Sequence, residues 1–453
     1  MTYPGRITFG VSVSSYYQSL SDTQLAQEAT KLEELIRTIA DKKFCLDMAR
    51  GKPNPEQVNL SRPMLDVLNH ASDLIDNTVD AANYGYIEGL PSARKLAAEI
   101  LDVSSEQVLV GDSSSLSIMY DTLQHAYIHG IAGCAPFAQQ LARQKELIFL
   151  CVCPGYDRHF ALTEAFGFMN VPVSLTPDGP DMQQVRQWVE HDEHVKGIWC
   201  VPKYANPSGI TYSDEVVRAF AALKPAAADF RIYWDNAYCM HDIFEPADEL
   251  LNIFTALNEC GKSNLVYEFA STSKMTFPGS GMAWVAASPD DIAELKAGFS
   301  IHRVCPNKLS QLEHVLFLQS KEKIRELMRQ HAQFLRPRFE LVLTKLQAQL
   351  ADLGIASWSH PKGGYFISFE GLDNSAKRIC ALAARLGVKL TAAGACWPYG
   401  KDPRDSNIRL APSYPTLEQL DAALDVFVTC VKYVALQLEQ ERRADTGANA
   451  DAR

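Results

Sequence analysis

Apolar residues near the amino terminus recur at helical spacing. Leu25, Ala29, Leu32, Leu35, Ile36 and Ile39 share one face, which predicts a helix over residues 22–42 capped by Ser21 or Asp22. The pattern then breaks. Arg50-Gly51-Lys52-Pro53-Asn54-Pro55 suits neither a helix nor a central strand. A second stretch rich in Gly, Asn and Pro, residues 83–91, precedes a helix beginning near Ser92. From about residue 107 the rhythm changes to short apolar runs alternating with amphipathic segments. Strands are predicted at 107–110, 147–152, 171–175, 197–201, 231–235, 265–269 and 282–287. Helices are predicted near 117–129, 137–144, 158–166, 182–191, 214–223 and 289–296.

Strand runs that are apolar throughout, with helices between them, argue for a mostly parallel sheet covered on both faces. The expected class is α/β, with a large domain on a seven-stranded sheet. Two long helices follow, over 309–319 and 323–350, the second with a kink at Pro337. A smaller α+β unit closes the chain, with strands at 364–369 and 407–410 and a last helix over 417–441. The expected division is an N-terminal arm and part of the small domain over 1–65, and the large domain over 66–320. The small domain fills 321–441, and the small, polar residues 442–453 form a disordered tail.

Composition narrows the partners. The 453 residues carry 43 basic and 54 acidic side chains, a formal charge of -11, and no local basic patch stands out. Such a surface repels a phosphodiester backbone, so nucleic acid is not an expected partner. No run approaches the roughly 18 apolar residues of a membrane helix, and no signal peptide is visible. The eleven cysteines are scattered, with no pair at zinc-site spacing, so no metal is expected and a reducing cytoplasm is.

The chemistry gathers at strand ends. Lys274 stands in Ser271-Thr272-Ser273-Lys274, directly after the apolar run ending at Phe269. An amine in a partly desolvated site has a lowered pKa and can form a Schiff base, and the hydroxyls suit a phosphate. Asp235 ends a strand made of Ile, Tyr and Trp, where ligands sit in open α/β sheets. An aspartate there can pair with a protonated ring nitrogen, and Tyr238 follows three residues on. Asn206 offers an amide at a turn that Pro207 and Gly209 impose. Gly111-Asp112-Ser113-Ser114-Ser115 joins a strand to a helix, either as an anion cradle or as a simple serine cap.

The order of these segments, with Pro154-Gly155-Tyr156 between them, resembles the fold-type I, class I/II aminotransferases of the aspartate aminotransferase kind. The resemblance covers residues 45 to 430. Gly51-Lys52-Pro53 resembles the family's G-x-P loop. Tyr84, Gly89 and Arg94 repeat its spaced Tyr, Gly and Arg, and Asn407-Ile408-Arg409 resembles its carboxylate-binding segment. The resemblance implies pyridoxal 5'-phosphate held by Lys274 as an aldimine, with Lys274 moving the proton. Asp235 is implied on the ring nitrogen, Asn206 and Tyr238 on the ring oxygen, and Tyr156 on the ring face. Ser113, Ser114, Ser115, Ser271 and Ser273 are implied on the phosphate, and Arg409 and Gly51 at the substrate. Tyr84 reaching the phosphate from a neighbouring subunit implies a homodimer with shared sites.

One position departs from the family: Met282 stands where an arginine commonly binds the phosphate. Ser273 and Ser280, or Lys308, are the candidates to replace it, and the departure is similar to a divergent bacterial aspartate aminotransferase subgroup. For a distal carboxylate the candidates are Arg303, from the partner subunit, and Arg50. The expected reaction is transamination of an L-amino acid, aspartate first, with 2-oxoglutarate. The alternatives are an alanine- or 2-aminoadipate-type aminotransferase and a β-eliminating lyase. A non-enzymatic regulator on this fold would carry a basic DNA-binding domain ahead of it, and only about 45 residues precede the Gly51-Lys52-Pro53 loop.

Overall fold

The computed structural model describes residues 15–144 and 146–451. The fold is α/β, built on one mixed, mostly parallel sheet of eight strands. In chain order these are β1 (Val108–Val110), β2 (Ile148–Cys153), β3 (Met169–Thr176), β4 (Gly179–Pro180), β5 (Val195–Cys200), β6 (Arg231–Asp235), β7 (Val266–Ser271) and β8 (Ala283–Ala286). Their spatial order is β1-β8-β7-β6-β5-β2-β3-β4. β8 runs antiparallel to both neighbours, so β1 points the same way as β7. Seven strands match the apolar runs of the sequence. The eighth corrects the expected number: β4 is a two-residue edge partner of β3, too short to leave a hydrophobic signature.

The continuous apolar runs have a direct cause. Ile148, Leu150 and Val152 of β2 face one apolar cluster, while Phe149, Cys151 and Cys153 face another. β6 divides likewise, with Ile232 and Trp234 on one side and Tyr233 on the other. A strand buried on both faces needs apolar residues at every position.

A third cluster gathers both ends of the chain: Tyr17, Leu25, Leu32, Ile39 and Met48 pack with Ile367, Ile408, Leu424 and Phe427. There β9 (Ser357–Trp358), β10 (Ile367–Glu370) and β11 (Asn407–Leu410) form an antiparallel sheet. The helix Lys321–Leu350 belongs to both parts. Its Ile324, Leu327 and Met328 sit in the main-sheet core, and its Leu335, Phe339, Val342 and Leu346 in the terminal core. Pro337 lies inside it as a single uninterrupted helix.

Helix starts follow side-chain chemistry. Ser21, not Asp22, caps Asp22–Asp41 by accepting from the Gln24 amide. The helix Ile253–Glu259, unforeseen from the sequence, is capped by Asn252 and has only two turns. The final helix corrects the expected disordered tail: it runs from Leu417 to Asp451. Arg443 binds Asp22 at 2.7 Å and the carbonyls of Tyr17 and Leu20, and Glu439 accepts from both Arg442 and Arg443. These ties fasten the helix past Glu441 to the N-terminal segment, which composition could not show.

The main sheet is packed to contact at its centre. A Cβ added at Gly197 would lie 2.3 Å from the Phe149 ring. Gly197→Ala therefore overpacks β5 against β2, a change that costs about 1–3 kcal/mol. Thermal unfolding followed by circular dichroism should show a lowered midpoint for this variant and an unchanged one for an alanine at the open Gly279 position.

Candidate active site

The side chains singled out above meet at the carboxyl ends of the parallel strands. β1 leads into Ser113–Ser115, β2 into Tyr156, β5 into the loop of Asn206, β6 ends in Asp235, and β7 leads to Lys274. Parallel strands present all these ends on one side of the sheet, where a ligand finds backbone and side-chain groups together.

Asp235 lies at the base of this site and is almost wholly buried. Its Oδ2 accepts from His159 Nε2 at 3.0 Å, while Oδ1 is buried with no hydrogen-bond partner. His159 in turn stacks on Trp199, ring centroids 4.5 Å apart and 12° from parallel. The imidazole thus fixes one oxygen and leaves the other aimed at a group from outside the chain. A buried carboxylate oxygen left bare costs more than a satisfied one, so the geometry suits a cationic N–H.

Lys274 Nζ lies 5.0 Å from the centroid of the Tyr238 ring. Burial lowers the amine pKa from the ordinary lysine value, and the Asp235 carboxylate opposes the shift. The loop carrying Lys274 is pinned on both sides. Thr272 exchanges hydrogen bonds with the Met282 backbone, at 2.8 Å through its amide and 2.9 Å through its hydroxyl. The Met275 carbonyl accepts from Ser61 and His331, and Thr276 pairs with His314. The neighbouring His241 is held neutral by burial, with Lys274 adding to the effect.

Tyr238 is buried, and burial first, then Tyr156 and Asp235, push its phenol well above the ordinary value. Tyr156 is pushed up to about 12, mainly by burial and then by Asp235. Both hydroxyls therefore remain donors across the physiological range. Arg409, on β11, reaches over from the terminal core. Its Nη1 donates to Asp157 and to Asn206 Oδ1, each at 3.2 Å, and Nε donates to Thr391. Because Asn206 Oδ1 is taken, its Nδ2 is left to donate elsewhere. The guanidinium stacks 4.8 Å over Phe366, and that ring explains Gly51: a Cβ there would lie 2.2 Å from it.

The serines form the remaining wall. Ser114 begins the helix Ser115–His129 with no side-chain cap, so the first amides of that helix are open to an anion. Ser273 Oγ donates to the Ser113 carbonyl at 3.0 Å, and Ser271 Oγ donates to Ser273 Oγ at 3.1 Å. Hydroxyls from two loops are thereby brought to one helix start. The residues fit pyridoxal 5'-phosphate: a bare carboxylate oxygen, a desolvated amine and an uncapped, serine-rich helix start lie in one cleft.

Six candidates lie elsewhere. Met282 is buried in the main core, its backbone serving Thr272. Lys308 Nζ donates to the carbonyls of Asp80 and Tyr84, at 2.9 and 3.4 Å, so it is engaged by a distant loop. Arg303 pairs with Asp121 and stacks on Phe299, while Arg50 is exposed. Tyr84 is 77% exposed. Ser280 contacts Ser310 at 3.5 Å. His159, Trp199, Asp157, Thr391 and Phe366 went unforeseen. The sole signal for His159 is its place three residues after Tyr156, on the first turn of a helix leaving a strand end.

Comparisons with known proteins supply the family. The profile of the aspartate amino-transferase family matches residues 20–443. The chain belongs to this family. It is an aminotransferase. It is 38% identical to an aspartate aminotransferase of Corynebacterium glutamicum over 399 residues, 88% of this chain and 91% of the relative. It is also 38% identical to a putative aminotransferase of Mycolicibacterium smegmatis, covering 93% and 98%. The crystal structure of an aspartate transaminase from Corynebacterium glutamicum superposes with a TM-score of 0.90 at 36% identity, covering 94% of this chain and all of that one. An alpha-aminoadipate aminotransferase from Thermus thermophilus, solved with a phosphopyridoxyl-leucine adduct, shares the fold at 18% identity, with a TM-score of 0.69. Among the described residues no helix is long and apolar enough to cross a membrane.

The electrostatics of Lys274 can be measured directly. In cofactor-free protein its amine should react with an acylating reagent at lower pH than surface lysines do. Asp235 raises this pKa, so Asp235→Asn should move the midpoint of the reactivity profile further down. Peptide mapping of the modified lysine across pH reads both effects, and an unmoved midpoint contradicts the assigned proximity.

Proposed function

We propose that this aminotransferase moves the amino group of an L-amino acid, aspartate first, to 2-oxoglutarate, using pyridoxal 5'-phosphate bound between Lys274 and Asp235. The observation that carries the reading is Asp235 Oδ1, buried, unpartnered and close enough to Lys274 to act on its amine. Bound there, the cofactor supplies a cationic ring that withdraws electrons from the substrate α-carbon. Asp235 holds the proton on the ring nitrogen, and His159 keeps that carboxylate oriented. Lys274 Nζ would hold the cofactor, and its amine, desolvated in this site, would be the group that carries a proton at the substrate α-carbon. A lowered amine pKa suits it to that exchange near neutral pH.

Tyr238 and the free Nδ2 of Asn206 would hold the ring oxygen, and Tyr156 would lie against the ring. Ser113, Ser114, Ser115, Ser271 and Ser273 bind the phosphate with the open helix amides, which supports a phosphate site built on hydroxyls and main chain in place of arginine. Arg409 exchanges its weak hold on Asp157 for the substrate α-carboxylate, by a two-pronged charge-assisted bond.

The homodimer remains part of the proposal. Tyr84, Tyr86, Ile301, Val304 and Leu65 are large apolar or aromatic side chains exposed on this chain, which supports burial against a second copy. In that assembly Tyr84 reaches the partner's phosphate, and Arg303 is proposed to serve a distal carboxylate after leaving Asp121. Eleven free cysteines support a reducing, cytoplasmic setting.

Two substitutions separate these roles. Arg409→Leu should lower kcat/KM for every amino acid by at least about tenfold, since a hydrogen bond to a charged group contributes about 1.5–3 kcal/mol. Arg303→Gln should lower aspartate turnover while sparing alanine. Coupled assays with both donors and 2-oxoglutarate measure the ratio, and an unchanged ratio removes Arg303 from the site.

A further inference from the structure

On the other face of the main sheet from the Asp235 side chain, a cavity of about 800 Å³ opens between β6, β7 and the helix Lys321–Leu350. Its floor carries two acidic or amide groups. Asn236 is 7% and Glu268 4% exposed, and Asn236 Nδ2 donates to Glu268 Oε1 at 2.8 Å. Asn236 Oδ1 is buried without any hydrogen-bond partner. Burial pushes the Glu268 carboxyl up to about 7, opposed by the Asn236 bond, and no cation contributes to holding its charge. The floor thus presents one acceptor, Asn236 Oδ1, that lacks a donor, beside a carboxyl that burial leaves easily protonated.

The remaining lining mixes signs: Asp102, Asp242, Glu245, Asp248 and Glu249 face it together with cations of the long helix. Arg325, Arg329 and Arg336 recur along one face of the long helix and line the same cavity. Arg336 is engaged by the Ile243 carbonyl at 2.8 Å and Lys203 by Asp242 at 2.8 Å. Among the described residues Arg325 and Arg329, both exposed at the cavity mouth, pair with Glu322 alone, at 3.3 Å. A ligand that satisfies both ends carries N–H donors at one and negative charge at the other.

We propose that this cavity is a second site for a small zwitterion, an amino acid whose ammonium group meets Asn236 Oδ1 and Glu268 and whose carboxylate meets Arg325 and Arg329. A plain anion would place its charge against Glu268, and a plain amine would leave both arginines on Glu322. Occupancy braces the helix that joins the two cores. The site uses neither Lys274 nor Asp235, so its failure leaves the transamination reading intact.

The test is calorimetric titration of the holoenzyme with 4-aminobutanoate and 6-aminohexanoate, neither of which carries an α-amino group. At least one should bind saturably without shifting the cofactor absorption band, and hexylamine and hexanoate should bind at least tenfold more weakly. Arg409→Leu should leave the affinity unchanged. Glu268→Gln, and separately the Arg325→Gln, Arg329→Gln double variant, should weaken it at least tenfold. Absence of saturable binding, loss in Arg409→Leu, or full affinity in both cavity variants would each overturn the proposal. The arginine variant lies at the surface and decides the matter if Glu268→Gln does not fold.

Discussion

Asp235 is held by one oxygen and bare at the other, and the surrounding architecture follows from keeping it so. The carboxylate ends the central strand β6, and its neighbour β5 supplies Trp199, on which His159 stacks. Trp199 packs edge-on against Tyr233, and Tyr233 stacks with Phe269 of β7. This aromatic layer gives His159 little room to turn, so Oδ2 stays occupied and Oδ1 stays directed into the cleft. A rigid apolar layer beneath a single carboxylate costs desolvation, which a cation at Oδ1 offsets.

The cleft is divided between two cores. Cofactor-directed groups sit on the main sheet, whereas Arg409 belongs to the antiparallel sheet assembled from both ends of the chain. The helix Lys321–Leu350 is shared by these cores, so any shift between them moves Arg409 relative to Asp235 and Lys274. The salt bridge from Arg409 to the half-exposed Asp157 spans that division. Asp157 is partly solvated, so water can take over its carboxylate when the buried guanidinium changes partners.

Much of this was legible in the chain because burial on both faces writes itself as unbroken apolar runs. The strand 231–235 was read to the residue, and Asp235, Lys274, Tyr156, Asn206 and Arg409 were all named from strand-end position and family resemblance. What escaped depends on distance in sequence. His159 becomes meaningful only through Asp235, 76 residues away, and a lone histidine on a helix face carries no signal of its own. Lys308 looked available for a phosphate until the structure gave it the Tyr84 carbonyl. The two-residue β4 and the two-turn helix at Ile253–Glu259 are too short for periodicity to reveal. The extension of the last helix rests on Arg443 and Asp22, at opposite ends of the chain.

The central assertion is that Asp235 keeps the nitrogen of a bound pyridine ring protonated while Lys274 holds the same ring covalently. Nitrogen NMR of the protein reconstituted with ring-¹⁵N-labelled pyridoxal 5'-phosphate reads that proton directly. A shift in the protonated-pyridine range, lost in Asp235→Ala, is the predicted result. A neutral-ring shift in the unaltered protein, or one indifferent to Asp235, would contradict it.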